Sequence, residues 1–251
     1  MGQPDQGGKI PAQTIAPAGT LRSRIAEKPV RSFVLAWNLV RFGLRYGLFG
    51  ARKGIPALVD FLLEDHLCTA MQKRMELTAL DEILAARRPQ AVLEIGTAHG
   101  GTLFFLTRVA SPDATIVSLD LYGGRLGTGP LRALLYKQFA LRRQRIHLPL
   151  GDSHSLEMLN EIKRILAGQA LDCLYIDGDH YYEGVKRDFE LYVPLVRKGG
   201  IVILHDIVDG PPEFVGGVPV FWREIKSGYR ITEFIQDPKQ GGWGIGVIHV
   251  A

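Results

Sequence analysis

From residue 91 onward, short and nearly continuous apolar runs alternate with amphipathic stretches, and this alternation constrains the fold more than any other feature of the chain. The runs at 91–95, 115–120, 146–151, 171–176 and 200–204 read as strands, each apolar enough to be covered on both faces. Between them, 102–109, 131–143, 155–167 and 181–196 carry apolar residues at helical spacing. Strand–helix repetition of this kind predicts an open, mostly parallel α/β sheet. After Pro211-Pro212 the pattern gives a helical piece at 220–227 and two last strands at 230–236 and 243–249. Their short connection, Asp237-Pro238-Lys239-Gln240-Gly241-Gly242, requires them to pair antiparallel or leave the sheet.

The remainder of the chain is organised differently. Residues 1–29 are rich in Gly, Pro, Gln and Ala and read as a disordered leader without the basic and apolar blocks of a signal peptide. Residues 30–88 read as a helical N-terminal extension, with 55–88 helical up to the stop at Pro89, and 89–251 as the α/β domain. Within 30–49 a helix would place Arg31, Asn38, Arg41 and Arg45 on one stripe, with Gly43 and Gly47 four apart. Arg41 and Arg45 inside a bilayer would cost a few kcal/mol each, so spanning is disfavoured. Two roles stay open for this segment: packing against the domain or a second subunit, as in a homodimer, or lying as a basic anchor at a membrane surface.

Charge and cysteine content narrow the function classes. The net charge of +4 is spread along the chain, and its short arginine clusters sit at helix ends without interleaved aromatics, so no nucleic-acid partner is expected. Cys68 and Cys173 form neither a zinc pattern nor a disulfide framework, which points to the cytoplasm.

In such a sheet ligands bind beyond the carboxyl ends of the strands, near the reversal of strand order. The first strand runs into Glu94-Ile95-Gly96-Thr97-Ala98-His99-Gly100-Gly101. This is neither the dinucleotide fingerprint G-x-G-x-x-G nor a P-loop, which makes a NAD-dependent enzyme a weak alternative. Asp120 ends the second strand, where a carboxylate can accept both hydroxyls of a ribose. Asp152 and Ser153 follow the third, in reach of an adenine edge. The fourth ends in Asp177-Gly178-Asp179-His180 and the fifth in His205-Asp206, and adjacent parallel strands would bring these tips together.

On these residues, 91–206 resembles the core of class I S-adenosylmethionine-dependent methyltransferases. Residues 175–207, with Phe221-Trp222 and Gly244-Ile245-Gly246-Val247, resemble the branch that includes metal-dependent sugar O-methyltransferases of macrolide tailoring and cephalosporin-biosynthesis relatives. The resemblance implies a seven-stranded Rossmann-like sheet with one antiparallel strand. It implies that Glu94, Gly96, Thr97 and Gly100 flank the methionine portion of the cofactor, Asp120 its ribose, and Asp152 and Ser153 its adenine, with Asp177 beside them. It also implies an Asp-x-x-His and an acidic pair, which Asp177, His180 and Asp206 match and His205 does not, standing where relatives have glutamate. Asp177, His205 and Asp206 then become candidate ligands for Mg²⁺, which would hold an acceptor hydroxyl, and His180 a candidate general base. Two other readings stay open: that Asp177 and Asp179 merely cap the next helix, and that catalysis proceeds without metal. The function implied is O-methylation of a small hydroxylated molecule such as a sugar or natural product. The alternatives are N-methylation of nucleic acid or protein, against which Asp-Gly-Asp-His after strand four argues, and a non-catalytic or membrane-associated cofactor-binding scaffold.

Overall fold

The computed structural model describes residues 55–64, 68–122 and 130–251, all within one compact unit, Gly43–Ala251. The leader, the 30–49 segment and most of the glycine-rich stretch after Tyr122 lie outside the described residues.

The seven strands form one sheet in the order β3-β2-β1-β4-β5-β7-β6. β1 (Ala91–Ile95) lies between β2 (Thr115–Leu119) and β4 (Leu171–Ile176), parallel to both. β3 (Arg145–His147) extends one edge, and β5 (Val196–His205) follows β4, again parallel. Among the described residues β7 (Ile245–His249) is the single reversed strand, antiparallel to β5 and to β6 (Arg230–Phe234). Strand order reverses between β1 and β4, so the loops after these two strands border one crevice.

Every residue of β1 and β2 is buried, as two-sided cover demands. The cover comes from α3 (Gly101–Val109), α4 (Pro130–Lys137), α5 (Leu156–Leu166) and α6 (Tyr182–Tyr192), each following its strand. α5 shows how a local pattern selects its element. The Ser155 hydroxyl accepts from the Met158 amide at its start, Met158, Leu159, Ile162 and Leu166 form its buried face, and Ala167 ends it in the left-handed region at φ 50°. After α7 (Pro212–Val215), α8 (Val218–Ile225) buries Phe221 and Trp222, and the Trp222 indole donates to Glu233 on β6. Phe221 and Trp222 are thus core residues. Cys173 is buried and burial pushes its thiol up, consistent with an inert side chain.

Residues 55–88 form two helices, not one. α1 (Ile55–Glu64) and α2 (Arg74–Arg87) both pack on α3, and non-helical residues separate them. The reason is tertiary: a side-chain carbon at Gly101 would lie 2.2 Å from the Ala70 amide nitrogen, so the chain at Thr69-Ala70 is pressed against the start of α3. Among the described residues no helix is long and apolar enough to cross a membrane.

Candidate active site

The turn after β1 is shaped by close backbone contacts. Gly96 has φ +95°, and a Cβ there would stand 2.1 Å from the Asp177 carbonyl oxygen. Gly100 has φ +77° and faces the ring of Tyr136, whose hydroxyl donates to the Ala98 carbonyl at 3.0 Å. The two glycines therefore seat the loop against β4 and α4 and present it at the crevice. Thr97 is buried and its hydroxyl lies 2.6 Å from that of Ser118.

Glu94 is fully buried on β1. The Ser118 hydroxyl donates to its Oε2, while Oε1 has no hydrogen-bond partner. Burial, with Asp177 and Asp120 nearby, pushes its carboxyl up to about 8 against the Ser118 hydrogen bond. A group raised in the folded state favours folding while protonated. Its contribution is therefore complete below the ordinary value of 4.5 and is lost as pH rises through about 8. Glu94→Gln is expected to flatten this decline and to stabilise the free protein by on the order of 3 kcal/mol at pH 8. Urea denaturation of both forms between pH 5 and 8.5 measures it.

Asp120 follows β2 and bridges to Leu150, and its Oδ1 accepts from the Leu121 amide at 2.9 Å. Asp152 is exposed, and its Oδ1 accepts from the His154 amide at 2.9 Å. The Ser153 carbonyl accepts from the Tyr192 hydroxyl at 2.8 Å. His154 Nε2 stands 3.5 Å from the buried Asp188.

The tips of β4 and β5 converge. One donor atom each from Asp177, His180 and Asp206 falls within 4.8 Å of the other two. Asp206 adopts φ +60°, which a non-glycine residue avoids unless its surroundings hold it. The hold is visible, since its Oδ1 accepts from the Trp243 amide at 3.0 Å. His180 stands with Nε2 3.4 Å from Asp177 Oδ1 and Nδ1 3.5 Å from Asp206 Oδ2, and its Nδ1 also contacts the Phe214 carbonyl. The residues before α8 clamp it in turn, the Gly217 amide donating to the His180 carbonyl at 2.7 Å. Asp179, not Asp177, serves the following helix: its Oδ1 accepts from the Tyr181 amide just before α6.

His205, by contrast, is withdrawn behind this trio. Its side chain is 4% exposed against 35% for His180 and 16% for Asp177. It sits 3.2 Å from Asp177 Oδ1 and 3.6 Å from Asp206 Oδ2, with Glu76 of α2 3.6 Å from its other nitrogen. Burial opposes charge on His205, but these three acids hold it well above the usual imidazole range. Burial likewise opposes charge on Asp177, yet the His205 charge and hydrogen bonds from both histidines bring its carboxyl down to about 2. His180, with burial outweighed by Asp177 and Asp206, is raised to about 9 and carries a proton at neutral pH.

Two carboxylates and one imidazole at this spacing suit a divalent ion, which would replace the His180 proton. Of the residues singled out in the sequence, the fold thus gathers Asp177, His180, His205 and Asp206 at one rim. Glu94, Gly96 and Thr97 lie on the adjoining β1 tip, and Asp120 and Asp152 follow the next two strands. The sequence reading missed Gln72, Glu76 and Trp243, which reach this rim from remote segments. No local signal in the sequence marks the first two, which stand among other polar residues of a helix-like stretch.

The chain is similar to known proteins in part of its sequence and in its fold. Residues 93–207 match the family model of a methyltransferase domain. An uncharacterized protein, y4gI, of Sinorhizobium fredii is 28% identical over 169 residues, 65% of this chain and 18% of that protein. Another, R132 of Acanthamoeba polyphaga mimivirus, is 28% identical over 149 residues, 54% of this chain and 61% of that protein. The chain thus spans less than two thirds of either relative. The O-methyltransferase TomG of Streptomyces achromogenes, in complex with SAM, superposes with a TM-score of 0.56 at 19% identity, covering 82% of this chain and 93% of that one. An O-methyltransferase from Bacillus cereus, in complex with SAH, gives 0.55 at 18% identity, covering 79% and 92%. At these identities the structural likeness shows the fold alone, that of a Rossmann-like seven-stranded sheet, and residues 93–207 are similar to a methyltransferase domain.

Proposed function

We propose that the chain is an S-adenosylmethionine-dependent O-methyltransferase acting on a small hydroxylated molecule, with a divalent ion such as Mg²⁺ at the acceptor side. The observation that carries this reading is the convergence of Asp177, His180 and Asp206 beside the turn that follows Glu94. S-adenosylmethionine, when bound, supplies the methyl group on a sulfonium. The residues assigned to its methionine end are Glu94, Gly96, Thr97 and Gly100, with Asp120 at the ribose and Asp152 and Ser153 at the adenine. The unpartnered Oε1 of Glu94 supports the first assignment, because a buried carboxyl oxygen without a partner suits a ligand's ammonium group, whose charge would favour the ionised carboxylate.

Asp177, His180 and Asp206 would hold the ion. When bound, it would orient the acceptor hydroxyl and lower its pKa. His180 then serves as a ligand, and it can serve as general base only in a metal-free reaction and only after losing its own proton. His205 is assigned behind the ligands, not among them. The neighbourhood also carries exposed apolar side chains: Met71, 56% exposed, Phe214, 65%, and Trp243, 40%. Each is tied to the site, Phe214 by its carbonyl at His180, Trp243 by its amide at Asp206, and Met71 by its carbonyl, which accepts from the Trp243 indole. They favour an acceptor with an apolar portion, of natural-product type, over a bare sugar.

The test is transfer of labelled methyl from S-adenosylmethionine to a panel of hydroxylated natural products and sugars. Product is expected with Mg²⁺, with EDTA lowering the rate at least tenfold. Turnover on amine acceptors alone would replace this reading.

A further inference from the structure

We infer that Gln72 is a positioning residue that fixes the Asp177 carboxylate for ion binding, and that Thr102 anchors the far end of the Gln72 amide; the inference rests on the proposed ion site. Gln72 lies in the stretch between α1 and α2, before the segment that matches the family model, and is 4% exposed. Its Nε2 donates to Asp177 Oδ2 at 3.1 Å. Its Oε1 accepts from the Thr102 hydroxyl, in the first turn of α3, at 3.0 Å. An ionised carboxylate only accepts, so the NH₂ group must face Asp177, and the Thr102 hydroxyl then anchors the other end of the amide by donating to its carbonyl.

Asp177 is consequently held at both oxygens. Oδ2 takes the amide of Gln72, and Oδ1 lies between His180 and His205. A neutral donor at Oδ2 orients the carboxylate without adding a charge that would compete with a cation. Glu76 braces the other side: it stands 3.6 Å from His205 Nε2, while its own oxygens accept from the Gly244 and Lys73 amides at 2.7 and 2.8 Å. The stretch from Gln72 to Glu76 therefore backs the β4 tip directly and the β5 tip through His205. Partners behind a ligating carboxylate contribute about 10- to 100-fold to metal affinity.

Titration of Mn²⁺ followed by its electron paramagnetic resonance, on the full chain, tests this in wild type, Gln72→Met and Thr102→Val. S-adenosylhomocysteine affinity and Tm are measured alongside. Gln72→Met keeps the side-chain length and is expected to weaken Mn²⁺ about 10-fold or more, with S-adenosylhomocysteine affinity within about twofold. Thr102→Val keeps the Gln72 bond to Asp177 but removes the anchor at its carbonyl, and is expected to weaken Mn²⁺ by a smaller factor. Unchanged Mn²⁺ affinity in Gln72→Met overturns the positioning role and leaves the ion site standing. Parallel loss of both affinities with a lowered Tm overturns it too, as a packing effect. A folded wild type that binds no Mn²⁺ removes the ion site and this inference with it.

Discussion

Asp177→Asn is expected to lower kcat/KM for methyl transfer by about 10³-fold, the scale of losing a charge placed at a reacting centre. One carboxylate serves three neighbours: its Oδ1 faces His180 and His205, and its Oδ2 accepts from Gln72. The amide keeps the shape and removes the charge, so Mn²⁺ affinity should fall at least tenfold. His205 would lose the nearest of the acids that keep it protonated. Breaking a buried charge pair costs about 3–5 kcal/mol, so the variant should also unfold at lower denaturant. Kinetics, Mn²⁺ titration and urea midpoints on one preparation separate these effects. A variant with the wild-type rate would place the chemistry elsewhere.

Gly96→Ala should destabilise the domain by roughly 4 kcal/mol, combining about 1–2 kcal/mol for a left-handed alanine with a forced backbone shift. The shift follows from geometry, since the new Cβ would meet the Asp177 carbonyl at 2.1 Å and backbone atoms cannot swing aside as side chains do. β1 and β4 are adjacent, and the Asp177 amide donates to the Ile95 carbonyl at 2.9 Å, so moving one tip moves the other. At about 2–4 °C per kcal/mol the Tm should drop by about 10 °C. S-adenosylhomocysteine and Mn²⁺ binding should weaken together. Calorimetric scans and both titrations measure this, and a variant within about 1 kcal/mol of wild type would show that the turn is not held by β4.

Much of this was readable before the fold was known, because apolar runs and the polar residues ending them are local signals. Asp120, Asp177 and Asp206 each end or follow a run and Glu94 is the last but one residue of another, and a parallel sheet brings such ends to one edge. β3 was the least legible strand. The apolar run 146–151 contains Pro149, which has no amide to donate, so the ladder closes at His147 and resumes only as the Asp120–Leu150 bridge. The break between α1 and α2 left no proline or glycine to mark it, since it arises from contact with the start of α3. Gln72 and Glu76 were hidden for the same reason, being ordinary helix residues in sequence and site residues only once Asp177 and His205 stand beside them. The roles of His180 and His205 were not separable either. Both follow a strand, and only burial distinguishes the 35% exposed imidazole from the 4% exposed one.

The most direct measurement is calorimetric titration of S-adenosylhomocysteine into wild type and Asp120→Ala. Binding in the micromolar range by wild type, weakened about tenfold or more by the substitution, is the predicted result, because a ribose hydroxyl pair would lose its charged acceptor. A folded wild type that does not bind, or a variant that binds equally well, would contradict the assignment of this crevice to the methyl donor.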